Sequence, residues 1–188
     1  MNKPICVISC PVDTYSGYGA RARDFIRSII KLDKYDVKIL SQRWGNTRFG
    51  YLADHSDTQL SSRIVTNLQS KPDIWIQITV PNEFQPMGTY NIGVTAAMET
   101  TLCNHTWVDG VNRMDLTLVS SNHSKSSLLN SSFEERTKDN KSVIRSVKID
   151  KPIEVLFEGI DLDTYFPDNR PCSIDFDIPE SFAYLFVG

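Results

Sequence analysis

Short apolar runs alternate along the chain with stretches of helical spacing, and this alternation carries the first information about the fold. Residues 4–9 hold Ile5, Val7 and Ile8, a run too short for a membrane span and typical of a strand covered on both faces. A loop with Gly17 and Gly19 follows, and the run from Ala20 to Ile26, with Ile29, Ile30 and Leu32 beyond it, has the period of a helix. Further strands are expected at 36–40, 74–80, 90–95, 115–120 and 152–157, separated by polar loops at 41–50 and 81–88. Helical spacing recurs at Leu60, Ile64, Val65 and Leu68, again between about 104 and 113, and again after Ser121, an N-cap residue for a helix that carries Leu128 and Leu129. The stretch 134–148 is charged and weakly patterned, and reads as a surface excursion that begins or ends in a helix.

Strands alternating with helices predict an α/β fold, a Rossmann-like, doubly wound, mostly parallel sheet with helices on both faces. Such sheets bind ligands outside the carboxyl ends of their strands. The loops after Ser9, Leu40, Val80, Thr95 and Val119 are therefore expected on one rim. Beyond Phe157 the pattern changes to turn formers, then to a proline-containing stretch without apolar period, then to an apolar run ending the chain. The division expected is a Rossmann-like domain over 1–167, a linker over 168–181, and at 182–188 the first strand of a truncated second domain. A lone terminal strand would otherwise be an aggregation liability.

Composition narrows the partners. The chain has 188 residues and a formal net charge of −3, and its basic residues form no run, so there is no electrostatic argument for nucleic acid. No apolar stretch approaches membrane length. Cys6, Cys10, Cys103 and Cys172 make no CxxC pair, and residues 1–3 lead straight into a strand without a signal peptide, so free thiols and a cytoplasmic location are expected. The N-x-S/T triplets at Asn104, Asn122, Asn130 and Asn140 then read as chance matches. No His, Cys, Asp or Glu spacing suggests a metal site.

The opening loop Ser16, Gly17, Tyr18 and Gly19 stands between strand and helix, where backbone N–H groups can approach a ligand and the helix dipole favours an anion. Turn glycines are the alternative. The spelling Gly17-x-Gly19-x-x-Ala22 also fits a dinucleotide fingerprint, but that motif sits immediately after its strand, and here residues 10–16 intervene. Ser41, Gln42 and Arg43 stand where that motif's acidic residue would close the second strand.

Taken together and in order, SGYGARARDF, then NIGVTAAMETTLCNHTWVDGVNRMDLTLVSSNHSKSSL, then VLFEGIDLDTYFPD resemble the retaining glycosyltransferases of the GT-B fold, of the family-four type. FAYLFVG is similar to the strand that opens that family's second domain. The resemblance implies transfer of a sugar from a nucleotide-sugar donor to a carbohydrate or other acceptor. In the family the first domain largely holds the acceptor, and the second holds the donor through an E-x7-E segment that these 188 residues do not contain. The chain alone is thus expected to be catalytically incomplete, with the nucleotide sugar as co-substrate and no metal or other cofactor.

On this reading Ser16–Gly19 would face the donor diphosphate and the acceptor, and Glu99, after a rim strand, becomes the catalytic candidate. A solvated glutamate at a helix start is its plainer role. Arg43 and Trp44, with Asn46, suit a sugar ring, though a Trp packing its loop is the simpler account. Asn82 and Glu83 carry the same ambiguity. Glu158 and Gly159 face the cleft in the family geometry, and Asp161, Phe166 and Pro167 look like a turn and an anchor. The family's rim histidine has no clean counterpart, and His55, His105 and His123 read as surface or capping residues. A Rossmann-type dinucleotide oxidoreductase domain and a non-catalytic carbohydrate-binding module are the alternatives.

Overall fold

The computed structural model describes residues 3–139 and 141–159, together with 162, 166, 167, 182 and 184. The chain divides into two units, Met1–Glu158 and Gly159–Gly188. In the second, Phe182 and Tyr184 meet edge to face with ring centroids 4.9 Å apart. The linker expected at 168–181, most of the strand expected at 182–188, and Asp161 lie outside the described residues.

The first unit is α/β and Rossmann-like. Its strands are β1 (Ile5–Cys10), β2 (Asp36–Ser41), β3 (Ile74–Ile78), β4 (Tyr90–Thr95), β5 (Leu116–Val119), β6 (Phe133–Arg136), β7 (Val143–Val147) and β8 (Ile153–Val155). The helices are α1 (Gly17–Lys31), α2 (Tyr51–Asp54), α3 (Thr58–Ser61), α4 (His105–Asn112) and α5 (Asn122–Leu129). Six strands form one parallel sheet in the order β2-β1-β3-β4-β5-β8. Outside β2, Ile64 makes a parallel bridge to Ile39, with Ile39 N–H on the Arg63 carbonyl and Val65 N–H on the Ile39 carbonyl. The chain therefore winds outward from β1 through β2 to residues 63–65, then returns to the other side of β1 with β3. This reversal makes the carboxyl ends of β1 and β3 the switch point at which such sheets open a crevice.

Alternation along β1 divides its side chains between two layers. Cys6, Ile8 and Cys10 pack with Ala22, Phe25 and Ile26 of α1, residues spaced to lie on one helix face. Val7 joins Trp75, Phe84 and Met114. A third cluster, from Val108, Val111, Val119, Leu128, Val147 and Ile153, joins α4 and α5 to the far side of the sheet and to β7. Each such side chain stabilises the fold by roughly 1.5–3 kcal/mol through burial. Burial also pushes the thiols of Cys6 and Cys10 up to about 12, which leaves both as protonated, inert core groups.

The structure corrects several expectations. Leu60 is buried in the single turn of α3, but Ile64 and Val65 go to the sheet edge, where β-branched residues fit a pleated ladder better than a helix. The charged stretch 134–148 holds an antiparallel hairpin, β6 with β7, rather than a helix, and Arg145 pairs across it with Glu135 at 2.8 Å. The strand expected to run to residue 80 ends at Ile78, and Pro81–Glu83 forms a single 3-10 turn. Among the described residues no helix is long and apolar enough to cross a membrane.

Asp115, entering β5, ties that strand to β4: its Oδ2 accepts from Asn91 N at 2.8 Å and Asn91 Nδ2 at 3.0 Å. The side-chain and backbone N–H groups of Asn91 hold the Asp115 carboxyl below its ordinary value. A carboxylate depressed on folding contributes stability that is full above its unfolded pKa, near 3.9, and is lost as pH falls through the lower folded value. Urea melts between about pH 5 and 2 are therefore expected to show a shallower loss of stability for Asp115→Asn than for the wild type. Parallel pH profiles would contradict this.

Candidate functional site

The rim begins with a loop, residues 11–16, that turns the chain from β1 into α1. Thr14 N–H and its Oγ1 both donate to the Pro11 carbonyl, at 3.1 and 2.8 Å. From inside, Arg23 Nη1 donates to the carbonyls of Val12 and Thr14, at 2.9 Å each, while its guanidinium carbon lies 3.4 Å from the Tyr51 ring centroid. Arg23 is 5% exposed, and burial lowers its pKa, though an arginine stays charged at any ordinary pH. From the other side, Gly50 and Tyr51 N–H donate to the Asp13 carbonyl and Leu52 N–H to its carboxylate.

Helix α1 opens directly from this loop. Ser16 is its N-cap, accepting from Gly19 N at 2.9 Å and sharing a hydrogen bond with Thr14 Oγ1. Gly17 and Gly19 thus belong to the first helical turn rather than to a glycine loop before it, and their roles differ. A Cβ on Gly19 would lie 2.4 Å from the Thr14 carbonyl oxygen, whereas a Cβ on Gly17 would meet nothing within 4 Å. Gly19 is glycine so that helix and loop can touch. Gly17 faces open space, and the N–H groups of Gly17 and Tyr18 make no hydrogen bond among the described residues. These are two of the unsatisfied donors of a helix start, carrying the positive end of its dipole.

Tyr18 links this mouth to the rest of the rim. Its ring stacks on Trp44, centroids 4.1 Å apart and planes at 22°, and its hydroxyl lies 3.1 Å from Thr95 Oγ1 and accepts from Ala96 N at 3.2 Å. Burial raises the phenol's pKa, and the nearby charges of Glu158 and Glu83 add to that. Tyr18 therefore stays neutral, a hydrogen-bonding and stacking group. Glu158 reaches the same helix through Arg21, whose Nε is 3.5 Å from Glu158 Oε1 and whose Nη2 donates to the Leu156 carbonyl at 3.2 Å. The chain leaving β8 is thus drawn back across the rim toward α1.

The residues singled out from sequence are distributed as follows. Ser16, Gly17, Tyr18, Gly19 and Trp44 come together at the mouth of α1. Arg43 is exposed on the loop after β2, with its guanidinium 5.2 Å from the Phe49 ring. Glu83 accepts from Thr79 Oγ1, and the exposed Asn82 offers its carbonyl to Arg113 Nη2 at 2.8 Å. Glu99 is exposed and its carboxylate has no partner among the described residues, while its carbonyl lies 3.2 Å from His123 Nε2. Gly159 belongs to the second unit. Sequence reasoning missed Arg21, Arg23, Thr79 and Thr95. The two arginines sat in an apolar helical run, and a basic residue interrupting a buried face was the available signal. Among the described residues no cluster of His, Cys, Asp and Glu is placed to hold a metal ion.

Comparison with protein-family models, with curated proteins and with solved structures finds no match to this chain.

The two glycines separate cleanly by experiment. Gly19→Ala is expected to lower stability by about 1–3 kcal/mol, the usual cost of overpacking, while Gly17→Ala stays within about 0.5 kcal/mol of the wild type in the same denaturation. Arg23→Met, which keeps the stem but strands two buried carbonyls, is expected to lose about 3 kcal/mol, or ~6–12 °C in Tm for a chain of this size. A Tm unchanged by Arg23→Met would show that the loop holds itself.

Proposed function

We propose that this chain is the acceptor-side, N-terminal domain of a retaining glycosyltransferase of the GT-B type, which moves a sugar from a nucleotide-sugar donor to an acceptor. The observation that carries the reading is the open mouth of α1 at the switch point of the sheet, where the amides of Gly17 and Tyr18 make no hydrogen bond among the described residues and Tyr18 and Trp44 form an aromatic wall. A loose, cationic transition state for sugar transfer leaves charge on a departing diphosphate, and preorganised amides at a helix mouth stabilise such charge. Glu99 and Glu83, on the loops beyond, supply carboxylates that can accept hydrogen bonds from sugar hydroxyls. In this reading the donor is held chiefly by a second domain beyond these residues, and the 188 residues by themselves transfer no sugar.

The winding of the sheet also favours a second reading, a dinucleotide oxidoreductase domain, because outward winding through β2 to residues 63–65 and return through β3 is the order of that fold. Two details weigh against it. The glycine that such a motif uses for close approach to a pyrophosphate is here sealed against Thr14. Past the end of β2, Gln42 occupies the place of the ribose-binding acid and donates through Nε2 to Ser9 Oγ at 2.6 Å.

Titration with inorganic pyrophosphate, followed by amide NMR, is expected to shift Gly17 and Tyr18 first, with weak affinity of about millimolar Kd because half of the site is elsewhere. NADH and NADPH are expected to bind no better than that. Submicromolar NAD(P)H binding would establish the second reading, and silence of both amides would remove the diphosphate role.

A further inference from the structure

The rim is electrically divided. Glu83, Glu99 and Glu158 lie on the loops after β3, β4 and β8, Glu158 paired with Arg21 of α1, whereas the loop after β2, residues 42–50, carries Arg43 and Arg48 and no acid. The first turn of α1 has no acidic residue either. Asp13, the acid of the loop after β1, has its carboxylate committed to Leu52 N–H at 2.7 Å. Arg48 is matched by Asp54 at 2.5 Å. Arg43 has no carboxylate partner among the described residues, so its charge remains uncompensated on this half.

The same half is aromatic. Tyr15 N–H donates to the Arg48 carbonyl at 3.0 Å and Thr14 pairs with Phe49 as an isolated antiparallel bridge, which clamps the two loops together. Tyr15 and Phe49 are nevertheless 38% and 41% exposed. Arg43 lies 5.2 Å over the Phe49 ring and Arg48 lies 4.6 Å over the Tyr15 ring. An aromatic ring held in place and partly open to water, as Phe49 is, suits the apolar face of a sugar ring, and the Arg43 guanidinium beside it, with no carboxylate partner among the described residues, suits an oxyanion in bidentate geometry.

We infer that the acceptor taken by this face is an anionic saccharide, with its ring on the Phe49 side of the platform and its carboxylate or phosphate on Arg43. The word acceptor rests on the transferase reading; the binding does not. Glu83 and Glu99, across the rim, repel the same anion and so bias which way the sugar points.

The test is titration of the 188-residue chain with glucuronate, glucose 6-phosphate, glucose and inorganic phosphate, followed by amide NMR. At least one of the two sugar anions is expected to bind about tenfold more tightly than glucose or inorganic phosphate. Preference for glucuronate marks a carboxylate and preference for glucose 6-phosphate a phosphate, and either supports the inference. Arg43→Gln is expected to abolish the preference without changing Tm, because the side chain is exposed. Phe49→Ala is expected to weaken the sugar anions about fivefold and leave inorganic phosphate unchanged. Equal binding of glucose and the sugar anions, phosphate binding as tight as glucose 6-phosphate, or a preference that survives Arg43→Gln would each overturn it. No nucleotide or pyrophosphate enters this experiment, so its failure and a failure of the transferase reading are separate results.

Discussion

The buried guanidinium of Arg23 holds the loop on which the rest of the rim is hung. Residues 11–16 join a strand to a helix with a single bridge, Thr14 to Phe49, and the carbonyls of Val12 and Thr14 turn inward, where each left unpaired costs about 1–3 kcal/mol. Arg23 satisfies both at 2.9 Å from within the helix that the loop introduces. Burying a guanidinium is itself costly, and two charge-assisted hydrogen bonds plus the face of Tyr51 offset that cost. Helix and loop thereby fix each other, and the position of the helix mouth follows from a contact in the core rather than from anything on the surface.

From that mouth the geometry passes outward through Tyr18. One ring connects three strand ends: it belongs to the helix after β1, stacks on Trp44 after β2, and hydrogen-bonds to Thr95 and Ala96 at the end of β4. A ligand in the crevice would meet a wall already assembled, and rigid walls spend less binding energy on ordering. The division of charge on either side of Tyr18 gives that wall a direction.

The alternation of strands and helices, and with it the rim, was legible because buried parallel strands are continuous apolar runs. Residues 90–95 were expected as a strand and form β4, and Ser121 caps α5 by accepting from Ser124 N. What misled was local pattern overridden by tertiary context. Leu60, Ile64, Val65 and Leu68 have helical spacing, yet Ile64 and Val65 had a sheet edge to complete. The described residues of 133–147 lack a helix and lack a clean two-residue alternation as well, since a bulge between Glu135 and Arg136 breaks the register. At the site, position after a strand put Ser16 to Tyr18 and Trp44 on the rim, and the structure brings them together at the mouth of α1. The different duties of Gly17 and Gly19 were not legible, because the carbonyl that excludes a side chain from Gly19 belongs to a loop whose path is set by long-range contacts, Arg23 from inside and residues 48–52 from outside.

The turn after β3 is built differently from its neighbours. Phe84 is fully buried, a Cβ on Gly93 of β4 would lie 2.4 Å from its ring, and Gly110 lets α4 rest directly on the Pro81 carbonyl. Asn82 and Glu83 are therefore surface residues mounted on a wedge driven between a strand and a helix. Close packing of its buried ends ties such a segment to the interior more firmly than an open loop. Whatever binds beside Glu83 meets a post whose two feet, Pro81 and Phe84, are set in the core.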